Sequence, residues 1–170
     1  MNRQIIQVYG TAQISKRVND LAAEIVATYR EREFTVLGVL EDGFIFLADL
    51  LRAMNTPLHT TFLHFNHRHL GGMEDISFST QMDITGRELL VVEGVLDTGV
   101  PQQYLLDQLK ARGAASVRTC VLLNKSHRRR VDLEPTWSAF EAQEDYIFGY
   151  GLGFQDRFRQ LPYLAKFAPE

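Results

Sequence analysis

The stretch ELLVVEGVLDTGV, residues 88–100, decides the fold. An apolar run of strand length leads through Asp97, Thr98 and Gly99 to Pro101, a residue favoured in the first turn of a helix. A buried strand, a tight turn and a helix form the repeating unit of a parallel α/β sheet. Backbone amides in such a turn, together with the positive end of the helix dipole, can form a small anion cradle. The same residues also make an ordinary turn with an aspartate cap, so both interpretations stay open here.

Apolar runs of strand length alternate with helix patterns along most of the chain. The first helix pattern has Ser15 as its candidate N-cap. Two of the strand patterns, residues 57–65 and 76–80, are typical of a hairpin around a polar loop. We predict strands at residues 34–40, 57–65, 76–80, 88–95 and 117–123, and helices at residues 15–32, 44–54 and 101–114. This order indicates an α/β protein whose mostly parallel sheet is covered by helices on both faces, with right-handed crossovers.

Composition restricts the kind of protein. The chain has 170 residues, of which 45% are hydrophobic and 23% are charged, which suits one compact domain. It has no run of about 18 apolar residues, and its first ten residues do not resemble a signal peptide. We therefore expect a cytoplasmic protein without a membrane partner. The formal net charge of −3 gives no general attraction to nucleic acid.

Three local features are predicted to be structural. The basic cluster HRRR, residues 127–130, is expected to be the solvated edge of a loop. Cys120, the single cysteine, lies in an apolar run and is expected to be a small buried hydrophobe, which excludes an internal disulfide and a cysteine-based metal site. His64, His67 and His69 have no carboxylate or cysteine at a matching ligand spacing, so we expect them to line an open loop.

Ligands of parallel α/β sheets collect at the carboxyl edge, where strands end and loops lead into helices. Three loops of this kind follow the predicted buried strands. They are LEDG at residues 40–43, EGVLDTGV at residues 93–100 and LNKSHRRR at residues 123–130. Because the carboxyl ends of parallel strands share one edge, we expect these three loops to face the same rim.

Four blocks of the chain, in order, resemble the hypoxanthine-guanine branch of the type I phosphoribosyltransferases. They are GVLEDGFIFLADLLRAM (38–54), LLVVEGVLDTGV (89–100), VLLNKSHRRR (121–130) and FEAQEDYIFGYGLGFQDRFRQLPYLAKF (140–167). The resemblance implies a single domain over residues 1–170, with a central, mostly parallel sheet flanked by helices. It also implies a small hood, built from about residues 1–14 and 135–170.

The resemblance implies a reaction as well. Members of the family transfer ribose 5-phosphate from phosphoribosyl diphosphate to a ring nitrogen of a 6-oxopurine, with Mg²⁺ as cofactor. The protein is thus expected to act in purine salvage on hypoxanthine or guanine, as a homodimer or homotetramer. An alternative is a catalytically impaired relative that binds a nucleotide or phosphoribosyl diphosphate as a sensor or regulator.

The resemblance also assigns roles on the sugar side of the site. Asp97 would be the catalytic base that takes or holds the proton of the purine ring nitrogen. Glu93 would accept hydrogen bonds from the ribose hydroxyls, and Thr98 and Gly99 would cradle the 5-phosphate. Acids near the sugar suit this chemistry, because displacement at the anomeric carbon builds positive charge there.

On the base side, the resemblance assigns three residues. Lys125 would donate to the 6-oxo group and so select hypoxanthine or guanine over adenine, whose amino group offers a donor in that place. Tyr146 would stack on the base, and Ile147 would contact it through backbone groups. From the sequence alone, Lys125 is equally explained as a surface lysine and Tyr146 as a core aromatic.

The diphosphate would be contacted by Arg159 and by the loop residues Asp42 and Gly43. Glu41 and Asp42 place two acids where the family has a basic or neutral residue followed by a small one. Two negative charges beside a diphosphate are expected to repel it, by about 1 kcal/mol per pair at 4 Å in water and severalfold more when partly buried. Magnesium could bridge them.

Further departures from the family pattern fall on the predicted chemistry. Gly94 stands in place of the second of two adjacent acids, and Gly153 in place of an acid that would contact a second Mg²⁺. Val100 and Pro101 replace a polar or basic residue and a threonine. The loop at residues 66–75 lacks the family's Ser-Tyr pair. We therefore assign no side chain of this chain as a metal ligand.

Overall fold

The computed structural model describes residues 4–30, 32–40, 42–66, 75–78 and 83–169, with the backbone alone for residues 64–66 and 75–78. Its strands are β1 (Ile5–Tyr9), β2 (Thr35–Leu40), β3 (His59–Asn66), β4 (Asp75–Phe78), β5 (Glu88–Leu96), β6 (Ser116–Asn124), β7 (Trp137–Glu141) and β8 (Leu164–Phe167). Its α-helices are α1 (Thr11–Tyr29), α2 (Phe44–Met54) and α3 (Val100–Ala111). The predicted alternation of strands and helices is confirmed.

The main sheet has six strands in the order β4-β3-β2-β5-β6-β7. β4 pairs antiparallel with β3, as the predicted hairpin requires, and the four other neighbouring pairs are parallel. The predicted mostly parallel sheet is therefore confirmed. β1 and β8 form a separate antiparallel pair. β7, which falls in the sequence range assigned to the hood, belongs instead to the main sheet.

Both faces of the main sheet are buried, and β5 shows this residue by residue. Leu90 and Val92 belong to the core cluster that includes the buried faces of α1 and α2, whereas Leu89 and Val91 belong to the cluster that includes α3. Side chains alternate between the faces of a strand, so a continuous apolar run fits a sheet covered on both sides. Cys120 is fully buried in the first cluster, as predicted, and burial raises the pKa of its thiol.

The predicted start of α1 is wrong. The helix begins at Thr11 rather than at Ser15, and Gly10 is its N-cap. The backbone N–H of Gly10 donates to Gln13 Oε1 over 2.8 Å, and the carbonyl of Gly10 accepts from Ile14 N over 3.0 Å. A glycine cap has no side-chain acceptor, so the pattern lacked the signal by which helix starts are usually recognised. Ser15 is an exposed residue of the helix interior.

Sheet order determines what lies at the rim. β2, β5 and β6 are neighbours, and their carboxyl ends carry residues 42–43, 97–99 and 125–130. The loops predicted to face one rim therefore follow three adjacent parallel strands. Among the described residues, no helix is both long enough and apolar enough to span a membrane.

Candidate functional site

The turn between β5 and α3, residues 97–99, is the segment predicted to form an anion cradle. Gly99 is the N-cap of α3 and has a φ of 80°, a conformation that other residues rarely adopt. Its carbonyl accepts from Gln103 N over 2.8 Å, and Thr98 Oγ1 accepts from Val100 N over 3.4 Å. The turn thus leads directly into the positive end of a 12-residue helix, where an anion is stabilised.

Residues of the basic cluster donate hydrogen bonds to the carbonyls of this turn. The prediction that the cluster is the solvated edge of a loop is therefore wrong for Arg129. The Arg129 guanidinium donates from Nη1 to the carbonyls of Leu96, at 3.2 Å, and Asp97, and only 8% of its side chain is exposed. The backbone N–H of Arg130 donates to the Thr98 carbonyl over 2.9 Å. Three successive carbonyls of the turn are therefore occupied by residues that follow β6.

Asp97 and Lys125 lie on the base side of the turn within a network of charges. Arg128 Nε lies 2.8 Å from Asp97 Oδ1, and Arg128 Nη1 lies 3.0 Å from Asp145 Oδ1. Lys125 Nζ donates to the Asp145 carbonyl over 2.6 Å. Only 7% of Lys125 is exposed, and burial lowers the pKa of its amine. Lys125 is therefore not a surface lysine.

The aromatic side chain that follows this network is accessible. Tyr146 is 69% exposed and contacts Phe154 edge-on, with ring centroids 6.1 Å apart. It is therefore not a core aromatic, and its ring has free surface for a planar ligand. Ile147 is buried at 8% exposure, so its side chain anchors the segment.

Glu93 is a buried acid in β5, shortly before the cradle. It is 4% exposed, and its Oε2 accepts from Gln102 Nε2, in the first turn of α3, over 3.0 Å. Burial raises the pKa of this carboxyl to about 7, although the hydrogen bond from Gln102 acts in the opposite direction. Near neutral pH, Glu93 is thus poised between its neutral and charged forms.

The Glu93→Gln variant tests this burial through the pH dependence of stability. The folded-state pKa of Glu93 lies above its ordinary value of 4.5, so its contribution to stability is present below pH 4.5 and is lost as the pH rises through about 7. The free energy of unfolding of the variant, relative to that of the wild type, should therefore grow by up to roughly 3 kcal/mol between pH 4.5 and 8. Denaturant unfolding measures this. Glu33→Gln, at an exposed position, should show no such trend, and a pH-independent difference at Glu93 would contradict the assignment.

Residues 42–43 pack directly on β5, and three glycines permit this contact. A Cβ on Gly94 would lie 2.9 Å from the carbonyl carbon of Asp42, and a Cβ on Gly43 would lie 3.1 Å from Gly94 N. A Cβ on Gly151 would lie 3.0 Å from the Asp42 carbonyl oxygen. Real Cβ atoms rarely come this close to backbone atoms, so a side chain at any of these positions would push the loop away.

Asp42 is paired with the cation predicted to bind diphosphate. Arg159 Nη1 donates both to Asp42 Oδ1 and, over 2.8 Å, to the Gly151 carbonyl. A guanidinium thus balances the charge of Asp42 in this structure, and the expected repulsion between Asp42 and a diphosphate stays a prediction. Glu41, His67 and His69 lie outside the described residues, as does the side chain of His64.

Comparison with known proteins identifies the family. The phosphoribosyl transferase domain model matches residues 6–157. A hypoxanthine-guanine phosphoribosyltransferase of Aquifex aeolicus is 36% identical over 154 residues, which are 88% of this chain and 86% of that protein. A hypoxanthine phosphoribosyltransferase of Haemophilus influenzae is 32% identical over 160 residues, covering 90% of this chain and 89% of that protein. The chain belongs to the hypoxanthine-guanine phosphoribosyltransferase family.

Solved structures of this family have the same fold. A crystal structure of a hypoxanthine-guanine phosphoribosyltransferase from Bacillus anthracis superposes with a TM-score of 0.90 at 27% identity, and the match covers 99% of this chain and 100% of that chain. The type I phosphoribosyltransferase fold is therefore confirmed.

Three residues that bind or support the predicted site residues were not predicted from the sequence. Gln102 binds the buried Glu93, Arg128 pairs with Asp97, and Arg129 holds the cradle. The two arginines had one usable signal, because they lie in a loop, residues 123–130, that was predicted to face the same rim as Asp97. Gln102 had none, since glutamine in the first turn of a helix is usually a solvated residue.

Proposed function

We propose that this phosphoribosyltransferase transfers ribose 5-phosphate from phosphoribosyl diphosphate to hypoxanthine or guanine. The observation that carries the proposal is the placement of Lys125 and Asp97. A buried lysine and a carboxylate belong to one charge network at the edge of the anion cradle. A 6-oxopurine offers an acceptor to the lysine and a ring proton to the carboxylate, and a 5-phosphate suits the cradle.

On the sugar side, Thr98, Gly99 and the first turn of α3 bind the 5-phosphate, while Arg129 fixes the shape of the turn. Glu93 accepts hydrogen bonds from the ribose hydroxyls, oriented by Gln102. Asp97 takes the proton from the ring nitrogen as that nitrogen attacks the anomeric carbon. A carboxylate in this place also stabilises the positive charge that develops on the sugar.

On the base side, Lys125 donates to the 6-oxo group. One of its protons is committed to the Asp145 carbonyl, and two remain for the substrate. Tyr146 stacks on the base with its exposed ring, and the backbone of Ile147 contacts the base edge. Adenine is disfavoured because its amino group would face the lysine donor to donor.

The diphosphate is bound by Arg159 and by the backbone at Asp42 and Gly43, together with Mg²⁺. No cluster of three or more His, Cys, Asp or Glu residues forms a metal site within the described ranges. Mg²⁺ is commonly held by one or two carboxylates together with substrate phosphates, so the ion is expected to arrive with its substrate. A bound ion would neutralise charge on the leaving diphosphate. The cytoplasmic location and the homodimer or homotetramer stay predictions.

A turnover assay tests the proposed function. The protein is incubated with phosphoribosyl diphosphate, Mg²⁺ and, in turn, hypoxanthine, guanine or adenine, and the release of nucleotide and pyrophosphate is measured. We expect turnover with the two 6-oxopurines and little with adenine. Tight binding of GMP without turnover would instead identify the impaired, nucleotide-binding relative.

The Lys125→Gln variant tests base selection. A charged hydrogen bond to the 6-oxo group is worth about 1.5–3 kcal/mol, so kcat/KM for hypoxanthine should fall about 10- to 100-fold. The amide of glutamine offers an acceptor as well as donors, so the preference for hypoxanthine over adenine should fall too. Lys110→Gln, at an exposed position of α3, is the control. An unchanged ratio of the two kcat/KM values would remove Lys125 from base recognition.

A further inference from the structure

The Asp42 side chain lies between two glycines, Gly94 and Gly153. On one side is Gly94, where a Cβ would lie 3.0 Å from the Asp42 Cβ. On the other side is Gly153, whose backbone N–H lies 3.5 Å from Asp42 Oδ1. A Cβ on Gly153 would lie 2.7 Å from the guanidinium carbon of Arg159, the cation that Asp42 binds. One acid from the β2–α2 loop therefore projects into the space beside both glycines.

This carboxylate is accessible, and its present partner can be displaced. The Asp42 side chain is 51% exposed, and that of Arg159 is 28% exposed. Ion pairs with this much exposure are weak, because water solvates the separated charges well. A diphosphate and its cation would bind both residues more strongly than they bind each other. The diphosphate attracts Arg159, and the cation attracts Asp42.

The other acid near this point is less suited to a metal ion. Glu93 is 4% exposed, and Gln102 already binds its carboxylate. Mg²⁺ needs few protein ligands when substrate phosphates supply the rest, but those ligands must be oxygen atoms that the ion can reach. Among the described residues on the Arg159 side of the rim, Asp42 meets this requirement.

We propose that Asp42, which packs between Gly94 and Gly153, is the carboxylate ligand of the divalent cation that accompanies the sugar diphosphate. This inference rests on the proposed function. Asp42 and Arg159 exchange partners when the substrate binds: Arg159 turns to the diphosphate and Asp42 to the cation. Without the cation, Asp42 competes with the diphosphate for Arg159 and repels it. Binding of phosphoribosyl diphosphate therefore depends steeply on Mg²⁺.

Calorimetric titration of phosphoribosyl diphosphate into the whole chain, with and without Mg²⁺, tests the inference. The measured quantity is the ratio of the two dissociation constants. The ratio is the dissociation constant without Mg²⁺ divided by that with Mg²⁺, and in Asp42→Asn it should shrink about 10-fold or more. The variant should bind phosphoribosyl diphosphate more weakly than the wild type when Mg²⁺ is present, and equally or more tightly when Mg²⁺ is absent. Electron paramagnetic resonance of Mn²⁺ gives an independent readout, because Asp42→Asn should leave more Mn²⁺ free in the presence of the same ligand.

Asp156→Asn is the matched control. It removes one negative charge from an exposed position in the C-terminal segment that also contains Gly153 and Arg159. Asparagine tolerates the positive φ of 59° found at position 156. Its ratio should equal that of the wild type. Asp42 is not a cation ligand if Asp42→Asn keeps the full effect of Mg²⁺ on the binding of phosphoribosyl diphosphate. The same follows if the variant binds phosphoribosyl diphosphate more tightly than the wild type when Mg²⁺ is present. A wild-type protein that binds no phosphoribosyl diphosphate under either condition would overturn the proposed function itself.

Discussion

Asp97→Asn is expected to lower kcat by about 10²- to 10⁴-fold, the usual contribution of a positioned general base. Asparagine has nearly the same shape as aspartate but cannot take the proton of the purine ring nitrogen. The amide keeps a polar group beside Arg128, and Arg128 keeps its hydrogen bond to Asp145, so the network around the turn should survive. The measurement is steady-state formation of nucleotide from hypoxanthine and phosphoribosyl diphosphate.

Two further measurements on Asp97→Asn, its free energy of unfolding and its affinity for GMP, distinguish the loss of a catalytic base from a disturbed structure. The Asp97–Arg128 pair is 38% exposed on both sides, so its loss should change the free energy of unfolding by about 1 kcal/mol or less. GMP should still bind, because the cradle and Lys125 are intact. Asp107→Asn, on the exposed face of α3, should leave kcat unchanged. Turnover within 10-fold of the wild type in Asp97→Asn would show that the proton goes elsewhere.

Arg129→Met should have the largest effect on stability. The substitution keeps much of the aliphatic volume of the side chain but removes the donors from Arg129 to Asp97 and Asn124. The Leu96 carbonyl loses one donor and keeps the backbone N–H of Lys125. Each buried acceptor left without a donor costs about 1–3 kcal/mol, so we expect a loss of about 2–5 kcal/mol in the free energy of unfolding. Chemical denaturation measures this loss. The turn should also bind ribose 5-phosphate about 10-fold more weakly or worse, because its carbonyls are no longer fixed.

Arg130→Met is the matched control for Arg129. The Arg130 side chain is exposed, and its bond to Thr98 comes from the backbone, which the substitution keeps. We expect a change within about 0.5 kcal/mol, as for most surface substitutions. Equal behaviour of the two variants would mean that Arg129 does not support the cradle.

The sheet could be predicted from sequence because its strands are continuous apolar runs. β2, β5 and β6 all lie within one or two residues of the predicted bounds, since burial on both faces leaves little choice of residue type. The start of α1 could not be predicted in the same way. Its cap is a glycine that depends on Gln13, and the sequence offered Ser15 as a more conventional signal.

The site was only partly predictable, for a different reason. Residues that follow predicted strands, such as Asp97 and Lys125, could be placed at the rim from local pattern and order alone. The ion pair of Asp42 could not be predicted, because its partner, Arg159, lies 117 residues away in the sequence. Pairing over such distances depends on the tertiary fold, and neither periodicity nor local composition contains it.

The contact of Asp42 with Gly43, Gly94 and Gly151 also limits how this protein can diverge. An aspartate introduced at position 94 would collide with the backbone of Asp42, so a single exchange toward the common family residue is blocked unless the neighbouring loop changes first. The acceptable residues at these four positions therefore depend on one another. Taken alone, Gly94 resembles the decay of an enzyme, whereas its contact with Asp42 makes the two residues one packed pair that must change together.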